Sequence, residues 1–585
     1  MSQSALAALP VETELEPLIA PHGGTLKDLY LPYAEAQALK QRSAGLPALD
    51  LNTRQLCDLE LLLNGAFSPL EGFLTERDYL RVVNELRLAD GTLWPIPVTL
   101  DVSEAFAATL APGAEIVLRD AQSVPLAVLE LQDIYRPDRA HEAQQVFGTQ
   151  DHLHPGVAEL LERTQPVYLG GRLRGIQQPV HYDFTELRDS PRTLRAWFEA
   201  NGWRRVVAFQ TRNPMHRAHR ELTLRAAQKV GAKLLIQPSV GRTKPGDVDH
   251  YTRVRCYRAL LPQYPADSAK LSLLPLAMRM GGPREAIWHA IIRKNYGATH
   301  FIVGRDHAGP GQDSNGQPFY GPLDAQHLLE RYQDELGIQV VAFPAMVYAA
   351  NRDAYVPATE VAADDEVRDI SGTQLRRHLH EGTDIPAWFT FPEVVKILRE
   401  RHPAQAPRGF ALFFTGLSGA GKSTIAQAVV SQLLEHTSRA VTVLDGDEVR
   451  KHLSRGLGFS REDRDANVTR IAYVASEIVR HGGVAVCAPI APYANTRAEA
   501  RGLVEAHGDF IEIHVSTPLE VCEARDRKGL YAQARAGKIA QFTGISDPYE
   551  APEQPEVRVD GSGAEPAVLA GHILGLLRDR GLLAS

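Results

Sequence analysis

Cysteine is scarce in this chain: four in 585 residues, Cys57, Cys256, Cys487 and Cys522. None stands in a C-x-x-C pair, which argues against a zinc ribbon and against a disulfide framework. The expectation is therefore no zinc and a reducing, cytoplasmic setting. Long apolar runs are missing too. None approaches the roughly 18 residues that a membrane-spanning helix needs. The first ten residues lack the basic start and apolar core of a signal peptide. Charge of one sign is not massed anywhere. With 63 Lys+Arg against 71 Asp+Glu the net charge is −8, and the basic residues are spread out. Neither a nucleic acid nor a membrane surface is an expected partner. Internal repeats and low-complexity tracts are also lacking.

What is present is an ordinary globular composition, 44% hydrophobic and 23% charged. The length suits about three or four domains. One motif stands out. Gly416, Leu417, Ser418, Gly419, Ala420, Gly421, Lys422 and Ser423 fit G-x-x-x-x-G-K-[ST]. An apolar run at 411–415 predicts a buried strand before it, and 423–430 predicts a helix after it. Glycines let backbone N–H groups converge on phosphate oxygens, and the helix N-terminus adds partial positive charge. Lys422 can reach the β- and γ-phosphates and Ser423 can ligate Mg²⁺. This end of the chain is expected to bind a nucleoside triphosphate.

Prolines and glycine interrupt the chain at 401–409, so a linker is expected at 401–408. Beyond it, strands at 441–444, 484–488 and 510–515 alternate with helical patterns, which predicts a doubly wound P-loop domain over 409–585. The first 165 residues read as a β-rich domain, with strands at 93–100, 115–118 and 124–129. Strand–helix alternation returns over 166–330, where 205–210 and 299–303 read as buried parallel strands. A small further domain is expected at 331–400. The fold class is α/β multidomain.

The segment Gln210-Thr-Arg-Asn-Pro-Met-His-Arg-Ala-His219 follows one of those strands. His216 and His219 share a face if a helix begins there. Three readings stay open: capping or surface histidines, metal ligands without a third partner at metal spacing, or donors to a nucleotide's phosphates. Arg212 suits a tetrahedral oxyanion. The Gly304-Arg-Asp-His-Ala-Gly-Pro-Gly311 run lies at another strand's carboxyl end, where open α/β sheets bind ligands.

These motifs, with Asn64-Gly-Ala-Phe-Ser-Pro-Leu70, Lys244-Pro-Gly-Asp247, Ala277-Met-Arg-Met280, Gly282-Pro-Arg-Glu285 and Ile370-Ser-Gly-Thr373, closely resemble ATP sulfurylase (sulfate adenylyltransferase) from about residue 22 to 395. The resemblance implies a PUA-like β domain, a Rossmann-like nucleotidyltransferase domain and a small third domain. It implies that Gln210, Arg212 and Ala308 hold sulfate. It places ATP on Gln210, Thr211, Arg212, Asn213, Gly304, Arg305, Asp306, His307 and Met346. Thr211, Arg212, Asn213, His216, His219 and Arg305 become catalytic, the histidines and Arg305 stabilising the α-phosphorus and the departing pyrophosphate. Phe343 falls on a mobile wall. Relatives often carry Val where this chain has Met346.

The second half narrows in the same way. Asp445-Gly-Asp447 ends a strand, and by itself is also what a solvated turn looks like. With Arg450, Gly458-Phe-Ser460, Arg464, Asn467, Lys528-Gly-Leu-Tyr531 and Phe542-Thr-Gly544 it resembles APS kinase (adenylylsulfate kinase) over about 409–580. That resemblance implies an APS site of Asp445, Arg450, Phe459, Arg464, Asn467, Ile490 and Phe542, with Phe459 and Phe542 sandwiching adenine. Asp447 would be the base and, with Ser423, a Mg²⁺ ligand; Lys422 would be catalytic, and residues 528–538 a lid. Many relatives have I-S-P where Ile490-Ala-Pro492 stands, so a phosphoserine intermediate is impossible here and direct transfer is expected. Thr469 replaces a common Arg.

Taken together the resemblance is to a PAPS-synthetase-like pair using ATP and sulfate, with a dimer or hexamer implied. Two alternatives remain: a retired C-terminal module that senses PAPS, or a sulfurylase run in reverse to make ATP. A retired module would be expected to lose Lys422, Ser423 or Asp447. All three are present, which favours an active kinase, and an active kinase would drain the APS that reverse operation needs.

Overall fold

The computed structural model describes residues 17–244, 247–381, 383–400, 409–526 and 529–583. The expected linker at 401–408 and Lys528 of the expected lid lie outside these residues.

The first sheet is mostly antiparallel, with neighbours in the order Ala48–Asp50, Glu115–Arg119, Pro125–Tyr135, Val167–Gly175 and Gly72–Phe73; Leu100–Val102 also pairs with Val167–Gly175. Two expectations fail here. Of the stretch 93–100 only Leu100 lies in a strand, although Leu93, Trp94, Ile96 and Val98 are buried. Pro95 and Pro97 have no N–H for a ladder. The chain instead makes isolated bonds, Trp94 N–H to the Leu86 carbonyl at 2.7 Å and Leu74 N–H to the Val98 carbonyl at 3.1 Å. The boundary at 165 also moves, because Val167–Gly175 is the strand that joins three others in this sheet.

The second sheet is parallel, in the order Gln339–Ala342, His300–Val303, Val206–Phe209, Lys233–Ile236, Ala269–Leu271. In chain order that is 5-4-1-2-3. The winding reverses between Val206–Phe209 and His300–Val303, and a crevice opens beyond the carboxyl ends of such a pair. The expected boundary at 330 falls inside the helix Asp324–Leu336, and the edge strand Gln339–Ala342 comes after it. A short antiparallel set follows: Met346–Ala349 between Ala354–Pro357 and Val367–Arg368.

The last sheet is parallel, in the order Val441–Asp445, Val484–Ala488, Phe410–Thr415, Asp509–Val515, Val557–Val559. Its centre, Phe410–Thr415, is buried at every position, as a two-sided parallel strand must be.

The first sheet's unit is locked to the second through the helix Gly282–Asn295. Phe67 lies 5.0 Å from Trp288. Asn295 Nδ2 donates to the carbonyls of Ala66 and Ser68 at 2.9 and 3.0 Å. Arg279 meets Asp58 at 2.6 and 2.8 Å.

Candidate active sites

The first crevice is built from the loops that follow Val206–Phe209 and His300–Val303. The loop 210–216 runs into the helix Arg217–Lys229, with His216 as its N-cap. His219 Nδ1 accepts the His216 N–H at 3.2 Å. A ring nitrogen that accepts carries no proton, so the neutral His219 ring holds its proton on Nε2. His216 Nδ1 lies 2.9 Å from Thr390 Oγ1, and its ring packs 4.7 Å from Phe389. Burial pulls the His216 pKa down to about 3 and the His219 pKa down to about 4. Both rings are therefore uncharged N–H donors at neutral pH, placed where a helix N-terminus adds its own positive end.

Arg212 crosses the crevice. Its Nη1 meets both Asp247 oxygens, at 2.6 and 2.8 Å, and its Nη2 donates to the Gly309 carbonyl at 3.3 Å. The backbone behind it is braced from the helix His250–Leu260. Arg253 donates to the Arg212 and Ser239 carbonyls at 2.9 and 3.0 Å, and Tyr257 OH donates to the Asn213 carbonyl at 2.7 Å. Thr211 Oγ1 bonds the Asn213 N–H at 3.2 Å. Gln210 is buried, its Nε2 on Ser239 Oγ at 3.1 Å and its Oε1 accepting from Arg293.

The facing loop is wound tightly: Asp306, Ala308 and Gly311 have φ of +51°, +55° and +119°. At Gly309 the Asp306 carboxylate leaves no room for a Cβ. Burial raises the Asp306 pKa. Arg305 is exposed. Gly304 has open space beside it, and the Ala308 carbonyl accepts the Gly282 N–H at 3.3 Å. His307 Nε2 lies 2.9 Å from His289 Nδ1 and its ring packs edge-on to Phe301. Met346 and Phe343 share an apolar cluster with Met215 and Phe389.

At the second crevice the chain leaves Phe410–Thr415 through Gly416, Gly419 and Gly421, with φ of +150°, +73° and +101°. A Cβ on Gly416 would lie 2.5 Å from the Val515 carbonyl, so the tight turn requires glycine there. Tyr531 OH bonds the Ser418 carbonyl at 2.8 Å, and Thr517 Oγ1 bonds that of Ala420 at 2.8 Å. Lys422 Nζ curls onto the carbonyls of Gly416 and Leu417 at 3.0 and 2.8 Å. The carboxylate at Ser423 is Asp445, its Oδ2 accepting the hydroxyl at 2.8 Å, where Asp447 was expected. The reason is local. Asp445 caps the helix Gly446–His452 by accepting the Asp447 N–H at 2.9 Å, which holds its other oxygen toward the loop.

Among the expected APS residues, Arg450 lies 4.4 Å over the Phe459 ring and donates to the Gly458 carbonyl at 3.0 Å. Phe459 is 62% exposed, free to take a planar partner. Arg464 ties the helix Arg461–Arg480 to Thr543 Oγ1 at 2.7 Å and Asp547 Oδ2 at 2.5 Å. Phe542 stands edge-on to Tyr531 at 5.0 Å. Asn467 is buried, and its Oδ1 has no hydrogen-bond partner among the described residues. The Ile490 carbonyl accepts from Thr415 Oγ1 at 2.7 Å, and Ala491 follows with φ +45°. Thr390, Arg253, Tyr257, Ser239 and Arg293 were not singled out from sequence; each lies far along the chain from the loop it braces, and no spacing marks it.

Comparison with known proteins matches three families along the chain. The PUA-like domain family matches residues 19–178, ATP-sulfurylase 185–401 and adenylylsulphate kinase 408–560. A sulfate adenylyltransferase of Gibberella zeae is 54% identical over 96% of this chain and 99% of its own length. One from Chaetomium globosum is 55% identical over 96% and 99%. A solved structure titled as a hexameric APS kinase from Thiobacillus denitrificans is 36% identical, covers 97% of this chain and 100% of its own, and superposes with a TM-score of 0.59.

Proposed function

The chain belongs to the sulfate adenylyltransferase family and carries an adenylylsulphate kinase domain, and from that premise we propose how its two crevices divide sulfate activation. The first joins ATP and sulfate into adenylyl sulfate (APS) and pyrophosphate. The second transfers a phosphoryl group from another ATP to the APS 3′-hydroxyl, giving PAPS and ADP. One observation carries the pairing: neutral imidazole donors at a helix N-terminus in one crevice, and an intact Lys422–Ser423–Asp445 phosphate grip in the other.

In the first step a sulfate oxygen attacks the α-phosphorus in line, and the bond to the pyrophosphate oxygen breaks. Sulfate arrives as an anion, so no base is needed. The barrier is repulsion between anions, which positioned donors lower. We assign sulfate to Gln210, Arg212 and the Ala308 N–H. His216, His219 and Arg305 stabilise the charge that builds on the phosphates, while Thr211 and Asn213 shape the loop and Met346 packs near adenine. Asp247 engages only Nη1 of Arg212, so the rest of the guanidinium can serve sulfate while its charge is shared with Asp247.

In the second step Asp447 accepts the hydroxyl proton and Lys422 draws the transferring phosphoryl group toward the acceptor. Ser423 Oγ and the Asp445 carboxylate, 2.8 Å apart, are hard oxygen donors that fit Mg²⁺ completed by substrate phosphates. Bound there, the ion neutralises phosphate charge. Ala491 offers no hydroxyl, so transfer is direct. Lys422, Ser423 and Asp447 are all present, and a retired module is not indicated. The hexameric title of the solved relative supports a homo-oligomer. No helix among the described residues is long and apolar enough to cross a membrane, which is compatible with a cytoplasmic enzyme.

The test is a pair of full-length variants. Lys422→Ala should abolish PAPS formation and leave ATP–pyrophosphate exchange intact; His216→Ala should do the reverse. Loss of both activities in either variant would sink the two-site reading.

A further inference from the structure

Beneath Gln210 lies a cation that the assignments above leave without a task. Arg293, near the end of the helix Gly282–Asn295, is 0% exposed. Its Nη2 donates to Gln210 Oε1 and, at 2.9 Å, to the Gln237 carbonyl. Its Nε and Nη1 have no hydrogen-bond partner among the described residues, and none of the ion pairs found among them involves Arg293. Glu285, about two turns earlier on the helix, acts on Arg293 through its charge but makes no ion pair with it: its oxygens accept the Arg279 and Gly281 N–H groups at 3.0 and 2.8 Å and lie 3.3 Å from His289 Nε2. The Phe301 ring under Arg293, 5.9 Å away, is an aromatic face rather than a counterion. Burial lowers the Arg293 pKa to about 9, which leaves the side chain cationic at neutral pH. A buried charge without a counterion is costly unless something offsets it.

Guanidinium is a donor only. It therefore decides which way the Gln210 amide faces. With Oε1 accepting from Arg293 and, at 3.3 Å, from Ser239 Oγ, the Nε2 edge is turned away from Arg293, 3.1 Å from Ser239 Oγ and 3.5 Å from Met278 Sδ. An amide turned this way offers N–H rather than a carbonyl oxygen to whatever occupies the crevice, which suits an anion and repels a cation.

We propose that Arg293 is a positioning residue for sulfate: it fixes Gln210 with its N–H edge toward the oxyanion and backs it with a buried positive charge that a dianion completes. The proposal rests on the assignment of Gln210 to sulfate. It predicts a preference for doubly charged tetrahedral oxyanions over singly charged ones of the same shape, because the buried charge acts on the total charge of the ligand.

The experiment measures pyrophosphate release by the full-length enzyme. Arg293→Met, similar in volume and uncharged, should raise the KM for sulfate at least tenfold while the KM for ATP stays within twofold. Inhibition by selenate should weaken by a similar factor and inhibition by perchlorate by less than threefold. PAPS formation from supplied APS should be unchanged, and the preserved KM for ATP reports that the sulfurylase unit of the variant is folded. Gln210→Ala should raise the sulfate KM as well, and the double variant should add little to either single one. An unchanged sulfate KM in Arg293→Met, equal rises for sulfate and ATP, or effects that multiply in the double variant would overturn the proposal. If Arg293→Met does not fold, Arg293→Lys carries the test: the charge stays and the fork is lost, so the sulfate KM rises while selenate still outcompetes perchlorate, and an unchanged KM overturns the proposal. Should Gln210→Ala leave the sulfate KM unmoved, the sulfate assignment itself falls. A rise there with no response at position 293 defeats only this inference.

Discussion

Burial keeps His216 and His219 uncharged, with His219 adding to the effect at His216, so neither accepts a proton until well below neutrality; the helix N-terminus at which they stand favours the same neutral state. That suits groups that donate hydrogen bonds to phosphates rather than shuttle protons. It also ties stability to pH. The folded-state pKa of His216, about 3, lies below its value of about 6.5 in an unfolded chain. The unfolded state therefore takes up the proton first on acidification. The contribution is fully present above about pH 6.5 and is lost as pH falls toward 3. At pH 5 the loss amounts to about 2 kcal/mol for this 8% exposed ring. Denaturant unfolding at pH 7.5 and pH 5 should show the stability gap between the parent and His216→Asn narrowing by about that much. A gap of constant size would mean the ring is not held neutral.

Between the strand Val441–Asp445 and the helix Gly446–His452, Asp445 does two things at once. It caps the helix and meets Ser423. Asp445→Asn keeps the cap and removes the charge at the ion's position. It should raise the Mg²⁺ concentration for half-maximal PAPS formation several-fold, on the order of 1 kcal/mol of binding, with sulfurylase activity unchanged. An unaltered Mg²⁺ requirement would return the ligand role to Asp447. This element also shows what sequence can and cannot reveal. The P-loop, its strand and its helix were readable because apolar runs and glycines there report backbone needs directly. The strand at 93–100 was misread because its side chains are core residues while Pro95 and Pro97 deny the backbone a ladder. The choice between Asp445 and Asp447 depends on which carboxylate a helix cap turns toward the loop, and two aspartates in one tripeptide look alike in sequence. Asn64–Leu70 could be quoted only as a family motif; its work is to seat the helix that ends in Arg293 and Asn295.

At the scale of the whole molecule, the helix Lys422–His436, which starts at the phosphate grip, packs on the helix His250–Leu260, which braces Arg212 and Asn213. The contacts across this seam are mostly polar: Tyr251 OH to Ser431 Oγ at 3.4 Å, Arg255 to Ser438 Oγ at 2.9 Å, and the Phe184 N–H to Glu435 at 3.3 Å. By contrast, the PUA-like and sulfurylase units share one apolar core that runs from Phe67 and Trp94 to Trp288 and Phe301. The kinase sheet has cores of its own. A polar seam transmits little of the cooperativity that shared apolar packing provides, so the chain should not melt as one unit. Calorimetry should resolve the kinase transition from that of the joined PUA-like and sulfurylase body. A non-hydrolysable ATP analogue with Mg²⁺ at about 100 times its Kd adds about 2.7 kcal/mol to the site it fills, or about 5–10 °C for a unit of this size. In Lys422→Ala that shift should vanish from the kinase transition alone, while the larger body responds to the analogue as it does in the parent. A single transition, or loss of the shift from both, would show that the seam couples the two halves more tightly than its contacts imply.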